Sequence, residues 1–183
     1  KPFEEIFDGL LVFSPDGGRL YVANSDSDTI SVIATSTNIV LFTIRVGRQP
    51  IAIAFSPDGS RVFVTNSKSN TVSVISTTTN SVISTIAVGA YPSAVSVTPN
   101  GGRVFVANAN SNNVSVIDAN NGSVVSAVAV GDGPNGVSVT PDGTRVYVIN
   151  FNNYSLSVIS TATLAVTTLR TSWPFSTGLG QFI

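Results

Sequence analysis

The sequence predicts an all-β chain: a β-propeller of four 42-residue, four-stranded antiparallel blades with one extra C-terminal strand. Three observations predict it. A turn motif returns at a fixed period, as Ser14-Pro15-Asp16-Gly17, Ser56-Pro57-Asp58-Gly59, Thr98-Pro99-Asn100-Gly101 and Thr140-Pro141-Asp142-Gly143. Between these turns lie short β-branched runs separated by clusters of Gly, Pro, Asn and Ser, the pattern of short strands. Apolar residues make up 43% of the chain and charged residues only 10%, which suits units that bury both faces on their neighbours.

The second unit shows how each element arises. Ile51–Phe55 is an apolar run ended by Pro57-Asp58-Gly59, a turn in which proline presets φ and glycine accepts a positive one; this is strand a. Its small Ala52 and Ala54 fit the innermost strand, where blades converge. Arg61–Thr65 is strand b, with Val62 and Val64 alternating against Phe63, as expected of a sheet covered on both sides. The polar cluster Asn66–Asn70 breaks it, and the β-branched Thr71–Ile75 forms strand c. Thr77–Asn80 turns the chain into strand d, Ser81–Val88, and Gly89-Ala-Tyr-Pro92 leads into the next strand a. The same reading places one domain over 1–183, with blades at approximately 9–47, 51–89, 93–131 and 135–171 and a closing strand at 172–183.

Other positions keep the register. Leu20–Asn24 matches Val62–Asn66, Val104–Asn108 and Val146–Asn150, and Val46-Gly47-x-x-Pro50 matches Val88-Gly89-x-x-Pro92 and Val130-Gly131-x-x-Pro134. On these motifs the chain resembles the YVTN β-propeller repeat family of surface-layer-type proteins over residues 9–183. The ending Gly180-Gln-Phe-Ile183 is similar to the carboxyl end of such rings. The resemblance implies an extracellular or cell-surface location and a non-catalytic scaffold for protein–protein interaction or self-assembly. Fold alone does not fix function.

Composition narrows the partners. Nine Lys and Arg against ten Asp and Glu give a net charge of −1, too weak a field for nucleic acid, and no apolar run is long enough to span a bilayer. The start at Lys1 fits a segment of a longer precursor. With no histidine and no cysteine, neither an imidazole base nor a thiolate or imidazole metal site can form, so an enzyme, a cofactor or a metal is not expected. Asn24-Ser-Asp26-Ser-Asp28 spaces oxygen ligands like a calcium loop but lacks the glycine at the sixth position and has Thr35 at the twelfth.

Antiparallel order puts the b–c and d–a loops on one face. Arg48, Gln49, Lys68, Tyr91, Asp132 and Tyr154 vary there between units and form the candidate binding face; solvated loop tips are the plainer reading of the same residues. A ligand-binding or enzyme-associated propeller using this face is the alternative function. On the other face, Arg19, Arg61, Arg103 and Arg145 read as structural partners of the turn acids Asp16, Asp58 and Asp142; Asn24, Asn66, Asn108 and Asn150 read as strand-end turn residues, since Asn tolerates left-handed backbone and caps its own turn. Trp173-Pro174-Phe175 replaces the Gly-x-x-Pro of earlier units and reads as an aromatic cap. Four blades plus one strand leave the ring open to closure as a small monomer, as a twofold dimer or head to tail, so the expected partner is protein, either further copies or the remainder of a longer propeller.

Overall fold

The computed structural model describes residues 11–170 and contains four antiparallel sheets of four strands. Blade 1 holds β1 (Leu11–Phe13), β2 (Arg19–Asn24), β3 (Thr29–Ala34) and β4 (Ile39–Arg45); blade 2 holds β5 (Pro50–Phe55), β6 (Arg61–Asn66), β7 (Thr71–Ser76) and β8 (Ser81–Ala87). Blade 3 holds β9 (Pro92–Val97), β10 (Arg103–Asn108), β11 (Asn113–Asp118) and β12 (Val124–Ala129); blade 4 holds β13 (Pro134–Val139), β14 (Arg145–Asn150), β15 (Ser155–Ser160) and β16 (Val166–Arg170). Each sheet follows chain order from its inner to its outer strand, the propeller blade read from the sequence. The expected closing strand at 172–183 and the Trp173 cluster lie outside the described residues. Among the described residues no helix is long and apolar enough to cross a membrane.

Period-two alternation sends each blade's side chains to two faces, here called front (toward the following blade) and back (toward the preceding one). Three apolar layers result, one at each junction. At the first, Tyr21, Ile30 and Val32 from the front of blade 1 meet Val62, Val64 and Ile75 from the back of blade 2. At the second, Phe63, Val72 and Val74 meet Val104, Val106 and Ile117; at the third, Phe105, Val114 and Val116 meet Val146, Val148 and Ile159. Burying such side chains contributes about 1.5–3 kcal/mol each, so the junctions are the core of the molecule.

No apolar layer joins blade 4 to blade 1 among the described residues. Tyr147, the front-face counterpart of the fully buried Phe63 and Phe105, is half-buried. Leu20 and Val22, the back-face counterparts of the fully buried Val62 and Val64, are half-buried too, and Leu11 and Phe13 are 54% and 56% exposed.

Blade 4 departs from the repeat in one more respect. In blades 1 to 3 the outer strand carries a bulge opposite Val32/Ile33, Val74/Ile75 and Val116/Ile117, whereas β15 and β16 pair in straight register and bring Leu169 opposite Leu156. The bulge residues Leu41, Ile83 and Val125 are exposed on the outer rim.

Phe105→Ala should lower folding stability by about 3–5 kcal/mol, because it empties a site closed on both sides. Tyr147→Ala should cost markedly less in dilute solution, which paired denaturant titrations would check.

Candidate interaction surfaces

Each d–a loop is spliced into the b–c loop of the next blade. At the first junction Ser67 N donates to Gln49 O (2.9 Å) and Lys68 N to Arg48 O (3.2 Å), while Arg48 N donates to Ser69 Oγ (2.7 Å). The loop is tied back to its own blade by Gln49 N, which donates to Asp28 Oδ1 at 2.8 Å. Tyr91 N repeats this bond with Asn70 Oδ1 and Gly133 N with Asn112 Oδ1, both at 3.0 Å. Asp28, Asn70 and Asn112 reach it because they adopt positive φ, which short polar side chains tolerate. A further lock lies beneath. A Cβ on Gly47, Gly89 or Gly131 would come within 2.7, 2.7 and 2.5 Å of the amides of Asn66, Asn108 and Asn150, so only glycine fits over them.

Asn24, Asn66, Asn108 and Asn150 do sit at strand ends and bond across the b–c turn, but without the left-handed backbone expected of them. Their geometry is extended, and their amides donate across the b–c hairpin, as Asn66 Nδ2 does to Thr71 Oγ1 (3.1 Å) and Ser73 Oγ (2.9 Å). The left-handed role falls four residues later.

The six candidate residues do share one face. Arg48 and Lys68 are exposed on hydrogen-bonded loops, giving that junction two cations; Asp132 lies two blades on and accepts from Asn152 Nδ2 at 3.4 Å. Gln49 turns inward and its Oε1 accepts from Ser67 Oγ at 3.0 Å, so it serves the splice. Tyr91 and Tyr154 are exposed and both have positive φ. Tyr154 occupies the place of Asp28, Asn70 and Asn112, and an aromatic side chain there cannot supply their carboxamide or carboxylate cap. Among the described residues no group of three acidic, histidine or cysteine side chains is placed to hold a metal.

On the opposite face the arginines do not pair with their turn acids, contrary to the sequence reading. Arg61 Nη1 donates to the Ala119 carbonyl and Arg103 Nη1 to the Thr161 carbonyl, each in the c–d turn of the following blade. Arg19 Nη1 reaches Thr77 O (3.4 Å) and Asn80 Oδ1 (3.2 Å). The series is therefore a clamp between blades, with Arg145 exposed at its open end. Arg145, Tyr147, Val158, Thr167 and Leu169 line a depression of about 390 Å³ on the front of blade 4.

The acids instead close their own turns. Asp58 Oδ1 accepts from Ser56 Oγ (2.5 Å) and Ser60 N (3.0 Å), and Oδ2 from Ser60 Oγ (2.8 Å). The Ser56 hydroxyl, then the Ser60 N–H and hydroxyl, hold Asp58 at about 2, below its ordinary 3.8; Thr140 and Thr144 do the same to Asp142. Asp16 is also lowered, mainly by Ser14.

Two apolar features escaped the sequence reading. Ile39, Val40, Leu41 and Phe42 are all exposed on the outermost strand of blade 1, where blade 2 has serine at the places of Ile39 and Phe42; Arg19 lies 6.0 Å from the Phe42 ring centre. Ile149 and Phe151, at 57% and 64% exposure, stand where earlier units carry Ala or Thr and Ser or Ala. Comparing the units column by column would have found both.

This geometry defines a β-propeller fold with four blades among the described residues. The model of the YNCE-like β-propeller family matches residues 59–152, just over half of the chain, and the chain belongs to that family. A model of the seven-bladed lactonase propeller matches residues 8–82. Among solved structures, the chain is similar to hydrazine synthase of Kuenenia stuttgartiensis, with TM-score 0.80 and 29% identity over 87% of this chain and 48% of that one. It is similar to a functionally unknown protein from Desulfotomaculum acetoxidans, with TM-score 0.72 and 20% identity over 87% and 54%. It is also similar to virginiamycin B lyase from Staphylococcus aureus, with TM-score 0.77 and 17% identity over 90% and 55%. The last two likenesses show the fold alone. The chain spans about half the length of these structures. A comparison with curated proteins finds no match.

The Asp58 turn should contribute fully to stability above about pH 4, and that contribution should fade as pH falls toward 2, because the folded carboxyl titrates below the unfolded one. Asn100 already makes this turn in blade 3, accepting from Thr98 Oγ1 and Gly102 N. Asp58→Asn should therefore fold and flatten the acid limb of the stability profile. Carboxyl NMR showing an Asp58 midpoint near 3.8 would contradict the assignment.

Proposed function

We propose that this chain is a non-catalytic propeller scaffold of the YVTN surface-layer type, extracellular or displayed at the cell surface, that works through protein contacts made by its open blade faces. The observation that carries the reading is that each end blade presents apolar positions which the three internal junctions bury. Uncovered blade faces of this kind are association surfaces. The location rests on the resemblance to the YVTN family, and the non-catalytic role on the lack of histidine and cysteine together with the structural use of the turn acids.

A second reading, a ligand-binding or enzyme-associated propeller, is favoured by the loop face, where Arg48 and Lys68 at one junction oppose Asp132 two blades away. The 29% identity to a hydrazine synthase chain adds to it. The two readings use different surfaces, so variants separate them.

Light scattering over a range of concentrations should show association that Tyr147→Asp abolishes and that the combined Arg48→Ala, Tyr91→Ala, Asp132→Ala and Tyr154→Ala variant leaves intact. A chain that remains monomeric throughout would remove the scaffold reading.

A further inference from the structure

We infer that the Asn100–Gly101 pair is a self-modifying site: in the folded chain the Asn100 amide converts to an aspartate, while the second Asn–Gly pair, Asn121–Gly122, is held back. In the sequence the two pairs look equal, and their hydrogen bonds separate them. Both asparagines are exposed, on the turn face of blade 3.

The conversion starts when the backbone N of the residue after asparagine attacks the side-chain Cγ. The N–Cγ bond forms, Oδ1 takes up negative charge, and the side-chain amide leaves as ammonia with the proton that the backbone N gives up, so that a cyclic imide remains. Water then adds to one of the two imide carbonyls. Attack at Cγ breaks the N–Cγ bond and leaves an ordinary α-linked aspartate, whereas attack at the backbone carbonyl leaves a β-linked one. In sum, an amide and a water give a carboxylic acid and ammonia. Glycine favours the first step because it has no Cβ to crowd its N.

Asn100 meets this chemistry inside a turn built for a carboxylate. Its Oδ1 accepts from Thr98 Oγ1 at 2.7 Å and from Gly102 N at 3.0 Å. These donors are the counterparts of the Ser56 hydroxyl and Ser60 N–H on Asp58, and of the Thr140 hydroxyl and Thr144 N–H on Asp142. Two donors fixed on Oδ1 stabilise the charge that develops there during the attack, as an oxyanion hole does. The same donors polarise the Cγ carbonyl of the imide and direct water to it, which restores the α-linked chain. The carboxylate then finds the bonds of the other acid turns already in place. Gly101 N donates to Thr98 O at 2.8 Å, so ring closure waits on the opening of that one bond at the hairpin tip. Asn100 and Gly101 line a depression of about 270 Å³ between blades 2 and 3, where solvent reaches the amide.

Asn121 Oδ1 also has two donors, Ser123 N at 2.9 Å and Ser123 Oγ at 2.7 Å. Its Nδ2, however, lies 3.5 Å from Asp118 Oδ2. Negative charge growing on Asn121 faces the Asp118 carboxylate, and the product would set two carboxylates side by side, which disfavours the ionised form of each. Asn100 therefore leads. Its conversion adds a negative charge to a chain of net charge −1 and keeps the turn, so the protein exists as two charge forms of one fold.

Peptide mapping by mass spectrometry, after incubation of the whole chain at mildly alkaline pH, tests this. Asn100 should convert about tenfold faster than Asn121, with the α-linked product in the majority at position 100. Thr98→Val should slow that conversion about tenfold, the loss of one hydrogen bond to a developing charge, and raise the β-linked share. Thr98→Ser, with the residue that blades 1 and 2 carry at this place, should restore both. In Asn100→Asp the new carboxyl should titrate below 3.8, as Asp58 does. Faster conversion of Asn121, a β-linked majority at position 100 in the folded chain, or no conversion there would each overturn the inference. A Thr98→Val chain that folds and converts Asn100 at the parent rate would overturn it too, and the site and linkage ratios of the parent chain stand as a test whether or not that variant folds.

Discussion

Apolar packing between successive sheets is the constraint on which the rest of this structure depends. A blade has too little interior of its own to be a core: its strands b and c turn valine and isoleucine to one side and aromatic and β-branched residues to the other. Both sides of blades 2 and 3 are closed, and their strand-b residues are almost wholly buried. Stability in such an array is approximately a sum over junctions, so blades 1 and 4, each with one junction among the described residues, are the weaker members.

Polar bonds make that packing specific. The apolar layers alone set the register between sheets weakly, because apart from one aromatic residue each is built mostly of valine and isoleucine. The d–a loop splice fixes the inner edge of each junction, and the arginine clamp fixes the turn face at a separation of 58 residues. Both devices use backbone carbonyls or N–H groups as partners, which would otherwise lack bonds at strand ends. The glycines of Val-Gly-x-x-Pro and the asparagines that end strand b form one device, since the first admits the second only by lacking a Cβ.

Much of this was legible in the sequence. Strand positions and the sharing of loops between two faces follow from the period and from turn chemistry, and β6, β7 and β8 lie within one residue of the spans expected. What the sequence does not carry is the relation between one unit and the next. Arg61 and Asp58 are three residues apart and look paired, yet the guanidinium crosses to Ala119 and the carboxylate folds back on Ser56 and Ser60. Asn66 is a common turn residue by type, and only the burial imposed by Gly47 reveals it as an interior bridge. The straight register of β16 was hidden as well, because the presence of a bulge depends on pairing and not on the run of residues. The candidate loop residues share the expected face, but Gln49 is committed to holding it together.

Hydrogen exchange of backbone amides, followed as a function of protein concentration, tests most directly the claim that junctions confer stability. In dilute solution, β6, β7, β10 and β11 should exchange most slowly, with β2, β3, β14 and β15 faster, and the difference should shrink as the concentration rises and the end blades become covered. Equal protection of all four blades at every concentration would contradict this account.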